Sequence, residues 1–363
     1  MKETDEIKDA LTEKTVEKPS KGLLSSGNTL LNLACSGRPF GAFTRGAFYL
    51  VVGDSTSGKT VLAGTCFAEA AINKRFDDYD LIFDNVENGA LMFDKFFGEK
   101  IASRIKPPAY DEDRQPVYST TVEEFYYHLH LSMQRAQKKG RSVIYVIDSE
   151  NALSSDAEKK KQKEKRKSIA DDTETAGTMT DSKAQVHSRN LRAACIDLRD
   201  TDSILIMISQ TRDNMGFGAQ FEPKTRAGGR ALKFYAMLEM WSSVKGKIKM
   251  TVRGKARTVG MLCHVKIKKN RFTGKDRSVT LPIYHSFGFD DIGACIDYLL
   301  EEKHWKNEGG EIHAKELRFK GSRGDLITYI EDKNMERDLR VIVGEVWNDI
   351  EEACEVHRKS RYI

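Results

Sequence analysis

The sequence predicts an α/β fold: a mainly parallel twisted sheet with helices on both faces, an antiparallel extension, and a small C-terminal α/β unit. Three observations carry that prediction. From Gly46 onward, continuous apolar runs alternate with helix-patterned segments; a glycine-rich turn, Gly53 to Thr60, joins the first run directly to a helix; and beyond residue 286 the composition turns polar and helical.

Taken in order, residues 1–24 form a charged polar segment too poor in apolar residues to fold alone, and its expected use is docking on something else. A core is expected over 25–286. Its strands are AFYLVVG (47–53), DLIFDNVE (80–87), SVIYVIDS (142–149) and SILIMISQ (203–210), and its helices follow Lys59 and span about 122–140 and 183–200. Strands alternating with helices imply right-handed crossovers and parallel pairing. Three later runs, AMLEMWSSV, GMLCHVKIKK and SVTLPIYH, fit an antiparallel extension. Residues 287–363, led by the amphipathic FDDIGACIDYLLEEKHW, are expected to form a small C-terminal domain. There, Lys315, Arg318, Lys320 and Arg323 either guide duplex DNA or face solvent.

Composition narrows the function classes. No apolar run approaches a bilayer span, and the charged start is neither a signal nor a transit peptide, so a cytoplasmic protein without membrane contact is expected. The six cysteines are scattered without CxxC spacing and read as buried thiols in a reducing compartment, not zinc ligands. A net charge of +5 permits nucleic-acid binding without establishing it. The stretch 158–183, basic then acidic and Ser/Thr-rich, reads as a solvated, disordered loop.

Gly53-Asp54-Ser55-Thr56-Ser57-Gly58-Lys59-Thr60 fits G-x-x-x-x-G-K-[ST] in its required setting, after a strand and before a helix. Backbone N–H groups there can cradle phosphates, Lys59 can reach the terminal phosphates of ATP, and the Thr60 hydroxyl can ligate Mg²⁺. Asp148, at the carboxyl end of a buried strand, suits the opposite side of that Mg²⁺. Hydrolysis also needs a base or water-orienting group: position favours Glu87, with Glu150 as competitor. Gln210 either senses the γ-phosphate or caps its strand. Downstream, 211–236 interleaves Arg212, Phe217, Phe221, Lys224, Arg226 and Arg230 with glycines, a pattern suited to phosphate contact and base stacking. Ser188 and Arg192, four apart, share one helix face, which either tracks a nucleic-acid backbone or is simply solvated.

These residues resemble the RecA-type recombinases, from about Gly27 to Trp305. The resemblance rests on the phosphate-loop region, VIDSENALSS, LIMISQTRDNMG, KNR at 269–271 and, most specifically, TRAGGRALKFYAMLEMW. It implies a RecA-like ATPase core with DNA loops at about 154–184 and 212–229, Glu87 as catalytic base and Gln210 as the link between γ-phosphate and DNA. It further implies that Lys269 and Arg271 reach the neighbouring subunit's ATP, and that an aromatic, nearest Phe93, stacks on adenine. Ser188, Arg192, Gly228, Gly229 and Arg230 would contact DNA, although Arg230 replaces a small amide. The long, charge-rich first loop and the polar termini suit a divergent, virus- or plasmid-encoded relative. The expected activity is a DNA-dependent ATPase that forms an ATP- and Mg²⁺-bound filament on single-stranded DNA and pairs it with duplex DNA. A ring-forming helicase and a non-hydrolysing mediator are the alternatives.

Overall fold

The computed structural model describes residues 22–89, 93–170, 183–213, 224–226, 229–356 and 358. The polar segment 1–21, Phe217, Phe221 and Gly228 therefore lie outside the described residues, as do 171–182 of the first expected loop and most of the second.

A ten-stranded sheet dominates the chain. Its parallel part contains Ala47–Gly53 (β1), Tyr79–Asn85 (β2), Ile105–Lys106 (β3), Ser142–Asp148 (β4) and Ile204–Asp213 (β5); Lys224–Arg226 (β6) pairs antiparallel with β5. Leu238–Val252 (β7), Lys255–Asn270 (β8), Ser278–Tyr284 (β9) and Gly288–Phe289 (β10) complete it, in the order β10-β9-β8-β7-β1-β5-β4-β2-β3. The antiparallel extension begins one strand later than expected, because β7 runs parallel to β1, with Leu238 opposite Tyr49 and Ser242 opposite Gly53. The long connection from β5 returns the chain to the starting edge, which parallel pairing requires. From β8 on the pairing is antiparallel, and the outer half of the β7–β8 hairpin, 249–258, is exposed.

Alternate residues of the central strands enter opposite cores, as a period of two demands. Tyr49, Val51, Ile144, Val146, Ile206 and Ile208 join one cluster with Thr29–Ser36 (α1) and Lys59–Ile72 (α2). Leu50, Val52, Tyr145, Ile147, Leu205 and Met207 join the other with Val122–Gln137 (α3) and Lys183–Asp200 (α5). Between α3 and α5, Asp156–Ala170 (α4) is helical where a loop was expected. Ser155 and Glu158 exchange hydrogen bonds of 2.9 and 3.1 Å at its start, a capping box, and the Lys, Glu and Gln that follow are good helix formers.

After the short helix Gly229–Tyr235 (α6) and strands β7–β10 come Asp291–Glu301 (α7), a three-stranded sheet over 306–321, Arg323–Lys333 (α8) and Glu336–Ala353 (α9). Ile296, Leu299, Leu339, Val343 and Trp347 lie in the same apolar cluster as β1, so this region shares a core with the main sheet. Its cations are partly committed: Arg323 grips Asp297 at 2.7 and 2.8 Å, and Lys320 pairs with Glu311 at 3.0 Å. Of the cysteines, Cys35, Cys66, Cys263 and Cys295 are buried and Cys195 is half-buried, whereas Cys354, past the end of α9, is exposed, contrary to expectation. No helix among the described residues is long and apolar enough to cross a membrane.

Candidate functional site

The carboxyl ends of β1, β5, β4 and β2 lie side by side, with Gly53 opposite Gln210 and Asn85 opposite Asp148. Ligand sites in open α/β sheets form at this edge. The turn after β1 is tightly built. Gly53 abuts Ser242, so that a Cβ there would meet the Ser242 carbonyl oxygen at 2.5 Å, and Gly58 adopts φ +83 before α2, a conformation that favours glycine.

Lys59, 7 % exposed, donates to the Asp54 carbonyl. Burial lowers its pKa, and the carboxylates of Asp148, Glu87 and Asp54 oppose that shift. The Thr60 hydroxyl donates to Asp148 Oδ2 at 2.6 Å. Burial raises the Asp148 carboxyl, reinforced by the nearby Glu87 charge against the Thr60 hydrogen bond. A buried carboxylate beside a hydroxyl, next to a loop of small residues and one ammonium, is a donor set that fits a magnesium–nucleotide phosphate group. Asp54 itself accepts from Thr211 and pairs with Lys224, whose hydrogen bonds lower its pKa.

Glu87 stands two residues beyond the end of β2, exposed, where the expected strand reached it. It accepts from Ser149 Oγ and from Gln210 Nε2, the latter at 2.7 Å. Glu150, the competitor, is fully buried and faces α5: its Oε1 lies 3.0 Å from Lys183 Nζ and 3.2 Å from His187 Nε2. Burial opposes its ionisation, but the His187 hydrogen bond and the Lys183 charge outweigh it and hold the carboxyl below its ordinary value. Glu150 is thus occupied away from the phosphate loop.

The structure does not bring every expected residue to this edge. Lys269 and Arg271 sit level with Tyr49, through Leu238 opposite both Tyr49 and Asn270, about four residues or roughly 13 Å below Gly53 at strand rise. Both cap α6: Lys269 Nζ and Arg271 Nη2 each donate to the Phe234 carbonyl at 2.8 Å. Phe93 packs edge-on against Phe83, with ring centroids 5.3 Å apart, and near-parallel to Phe97 at 6.0 Å, inside an aromatic cluster over Gly64. Ser188 and Arg192 lie on the exposed face of α5, whose other face buries Leu191, Ala194 and Leu198. Arg212 and Arg230 are exposed. Arg226, expected among the DNA contacts, is engaged elsewhere: its guanidinium, 9 % exposed, donates from Nε to Glu239 at 2.9 Å. A buried carboxylate beneath β6 demands such a partner. Gly229 has φ +72, and a Cβ there would meet Ala184 at 2.8 Å, so the start of α6 seats directly on the start of α5.

Sequence reasoning missed Ser149, Asn151, His187 and Asp84. Asn151 Oδ1 accepts from the Gln210 N–H at 2.6 Å and from Ser209 Oγ at 3.1 Å. The available signal was the polar run Asp148-Ser149-Glu150-Asn151 directly after five buried apolar residues, since buried polar groups need partners. Asp84, fully buried in β2, accepts from the N–H and hydroxyl of Ser119 and from Tyr145.

Comparison with known proteins agrees with this architecture. The family described as RecA N-terminal domain matches residues 165–290, the second half of the core. Protein RecA of Clostridioides difficile (strain 630) is 26% identical over 321 residues, covering 85% of this chain and 78% of that protein. Protein RecA of Bacteroides thetaiotaomicron is 25% identical over 333 residues, covering 90% and 88%, and that of Thermus thermophilus 24% over 336 residues, covering 89% and 87%. The chain is thus similar to RecA proteins over most of its length, and to the RecA N-terminal domain over 165–290.

Proposed function

We propose that the chain is a DNA-stimulated, Mg²⁺-dependent ATP hydrolase of recombination and repair. It assembles in the cytoplasm as an ATP-bound filament on single-stranded DNA and carries out homologous pairing and strand exchange with duplex DNA. The observation that carries this reading is the hydrogen bond between Glu87 and Gln210, at the carboxyl edge shared with Thr60 and Asp148 and at the root of the segment that leads into the second loop.

In this reading Gly53–Gly58 and Lys59 would hold the phosphates, and Thr60 and Asp148 would hold Mg²⁺, which would neutralise charge on the phosphate oxygens. Glu87 orients and deprotonates the attacking water. Gln210 reports γ-phosphate to the second loop, and Ser188, Arg192, Arg212, Phe217, Gly228, Gly229 and Arg230 meet DNA. Lys269 and Arg271, about four residues below their own Gly53 along the sheet, would serve a neighbour's ATP site, with subunit assembly as a condition of turnover. Phe93 lines the adenine end. The chain is in three parts, a subunit-docking segment at 1–24, the ATPase core at 25–286 and a C-terminal unit at 287–363.

Electron microscopy of the protein with single-stranded DNA and a non-hydrolysable ATP analogue tests the reading. Helical filaments that require both ligands are expected; closed hexameric rings would favour a helicase-type motor and overturn it.

A further inference from the structure

The residues that follow the apolar run of β4 each engage a different element. Asp148 accepts from Thr60 of the phosphate loop, and Ser149 donates to Glu87. Glu150 binds Lys183 and His187 at the start of α5. Asn151 binds Ser209 and both backbone groups of Gln210, accepting from its N–H at 2.6 Å and donating to its carbonyl at 3.4 Å.

The Glu150 contact is built deep inside the protein. The Glu150 and His187 side chains are wholly buried and Lys183 is 15 % exposed. A carboxylate only accepts, so His187 Nε2 is the donor, and its Nδ1 takes the hydroxyl hydrogen of Tyr126 on α3 at 3.0 Å. Lys183 also donates to the Glu150 carbonyl. Side chain and backbone of one residue thus clamp the first turn of a helix whose next turns expose Ser188 and Arg192. A buried charge pair resists separation, since either partner alone would be left uncompensated.

We propose that Glu150 and Asn151 are positioning residues that make the nucleotide site, the start of α5 and the end of β5 shift as one unit, coupling nucleotide binding to DNA binding. The inference rests on the functional reading given above for α5 and Gln210. Any movement of Asp148 or Glu87 on nucleotide binding moves the backbone of 148–151. Glu150 passes that movement to Ser188 and Arg192 through Lys183 and His187, and Asn151 passes it to Gln210. Linkage is reciprocal, so DNA must tighten nucleotide by the same factor.

The test uses the full chain with oligo-dT, with and without a non-hydrolysable ATP analogue, in wild type, E150Q, K183M, the E150Q/K183M double variant and N151A. Thermal melting checks folding, and K183M and N151A keep the test open if E150Q does not fold. The nucleotide-dependent gain in DNA affinity is expected to fall at least tenfold in E150Q and N151A, while nucleotide affinity without DNA stays within twofold of wild type. The double variant should lose less than the sum of E150Q and K183M, because the two substitutions share the Glu150–Lys183 contact. An unchanged gain in folded E150Q and N151A, or fully additive losses from E150Q and K183M, overturns the inference and leaves the functional reading standing. Wild-type protein that shows no nucleotide-dependent gain overturns both.

Discussion

Gln210 Nε2 donates to Glu87 Oε1 at 2.7 Å, bridging the carboxyl ends of β5 and β2 above the phosphate loop. A neutral amide here can hold the carboxylate without neutralising it, which leaves Glu87 able to accept a proton from water. In the function proposed above, the same amide turns from Glu87 to a phosphate oxygen when nucleotide binds.

Glu87→Gln keeps the shape and the contact to Gln210 but removes the carboxylate proposed above as the base. Turnover should fall by roughly 10²- to 10⁴-fold, with ATP and single-stranded DNA affinities within a few-fold of wild type. Phosphate-release kinetics beside equilibrium nucleotide binding check it. Unchanged hydrolysis in E87Q would move the base role to another carboxylate.

If Gln210 links the site to the second loop, as proposed above, Gln210→Ala should leave DNA-free turnover nearly intact while abolishing its stimulation by DNA, since an amide takes no proton. The comparison is of turnover with and without saturating oligo-dT. Equal losses in both arms would make Gln210 a strand cap only.

Because burial raises the Asp148 carboxyl, the group protonates at a higher pH than an ordinary aspartate, whose pKa is about 3.9. The Mg²⁺-dependent part of nucleotide affinity should therefore decline as pH falls while ordinary aspartates remain ionised. Asp148→Asn should lose that part at every pH. Nucleotide titrations with and without Mg²⁺ across the acid range read this directly, and a Mg²⁺-dependent part that persists in D148N would count against Asp148 as the Mg²⁺ residue.

Much of this site was legible because its signals are local. Gly53–Thr60 carries its own strand and helix flanks, and Asp148, a weak signal alone at the end of an apolar run, gains its meaning from that motif. What escaped depends on distant partners. Glu150 meets His187 across 37 positions, and Arg226 finds Glu239 only when β6 folds over β7. The direction of β7 was hidden for the same reason, since an apolar strand pattern is identical for parallel and antiparallel neighbours once both faces are buried. The helix α4 is a different case. Its Ser155–Glu158 capping box stands in the sequence, but the dense charge that follows is shared by solvated loops and solvated helices.

Burial, then the positive Arg271 beside it, holds the Lys269 ammonium down at about 8, against an ordinary lysine near 10.4. The charged form is therefore lost from the free chain as pH rises through about 8. If Lys269 serves a neighbour's ATP, nucleotide-dependent assembly should weaken over that interval. Lys269→Arg should keep assembly level to higher pH, and Lys269→Met should be weak throughout. Light scattering on single-stranded DNA from pH 7 to 9.5 distinguishes the three, and wild type and K269R falling together would remove Lys269 from the interface.

The sequence from 159 to 167 carries seven Lys and Arg against one Glu and lies on α4. Lys159 is already shared with Thr120 and Glu124, so not every cation is available to a ligand. If the remainder meets phosphate, deleting 159–181 should reduce the slope of log affinity for single-stranded DNA against log salt by about 2 to 4, at about 0.7 per phosphate neutralised. A milder variant with Lys160, Lys161 and Lys163 changed to Gln should reduce it by about 2 on the same scale and leaves the chain length intact. Fluorescence anisotropy over 50 to 300 mM salt measures both slopes. An unaltered slope in the two variants would make this segment a solvated surface with no part in DNA binding.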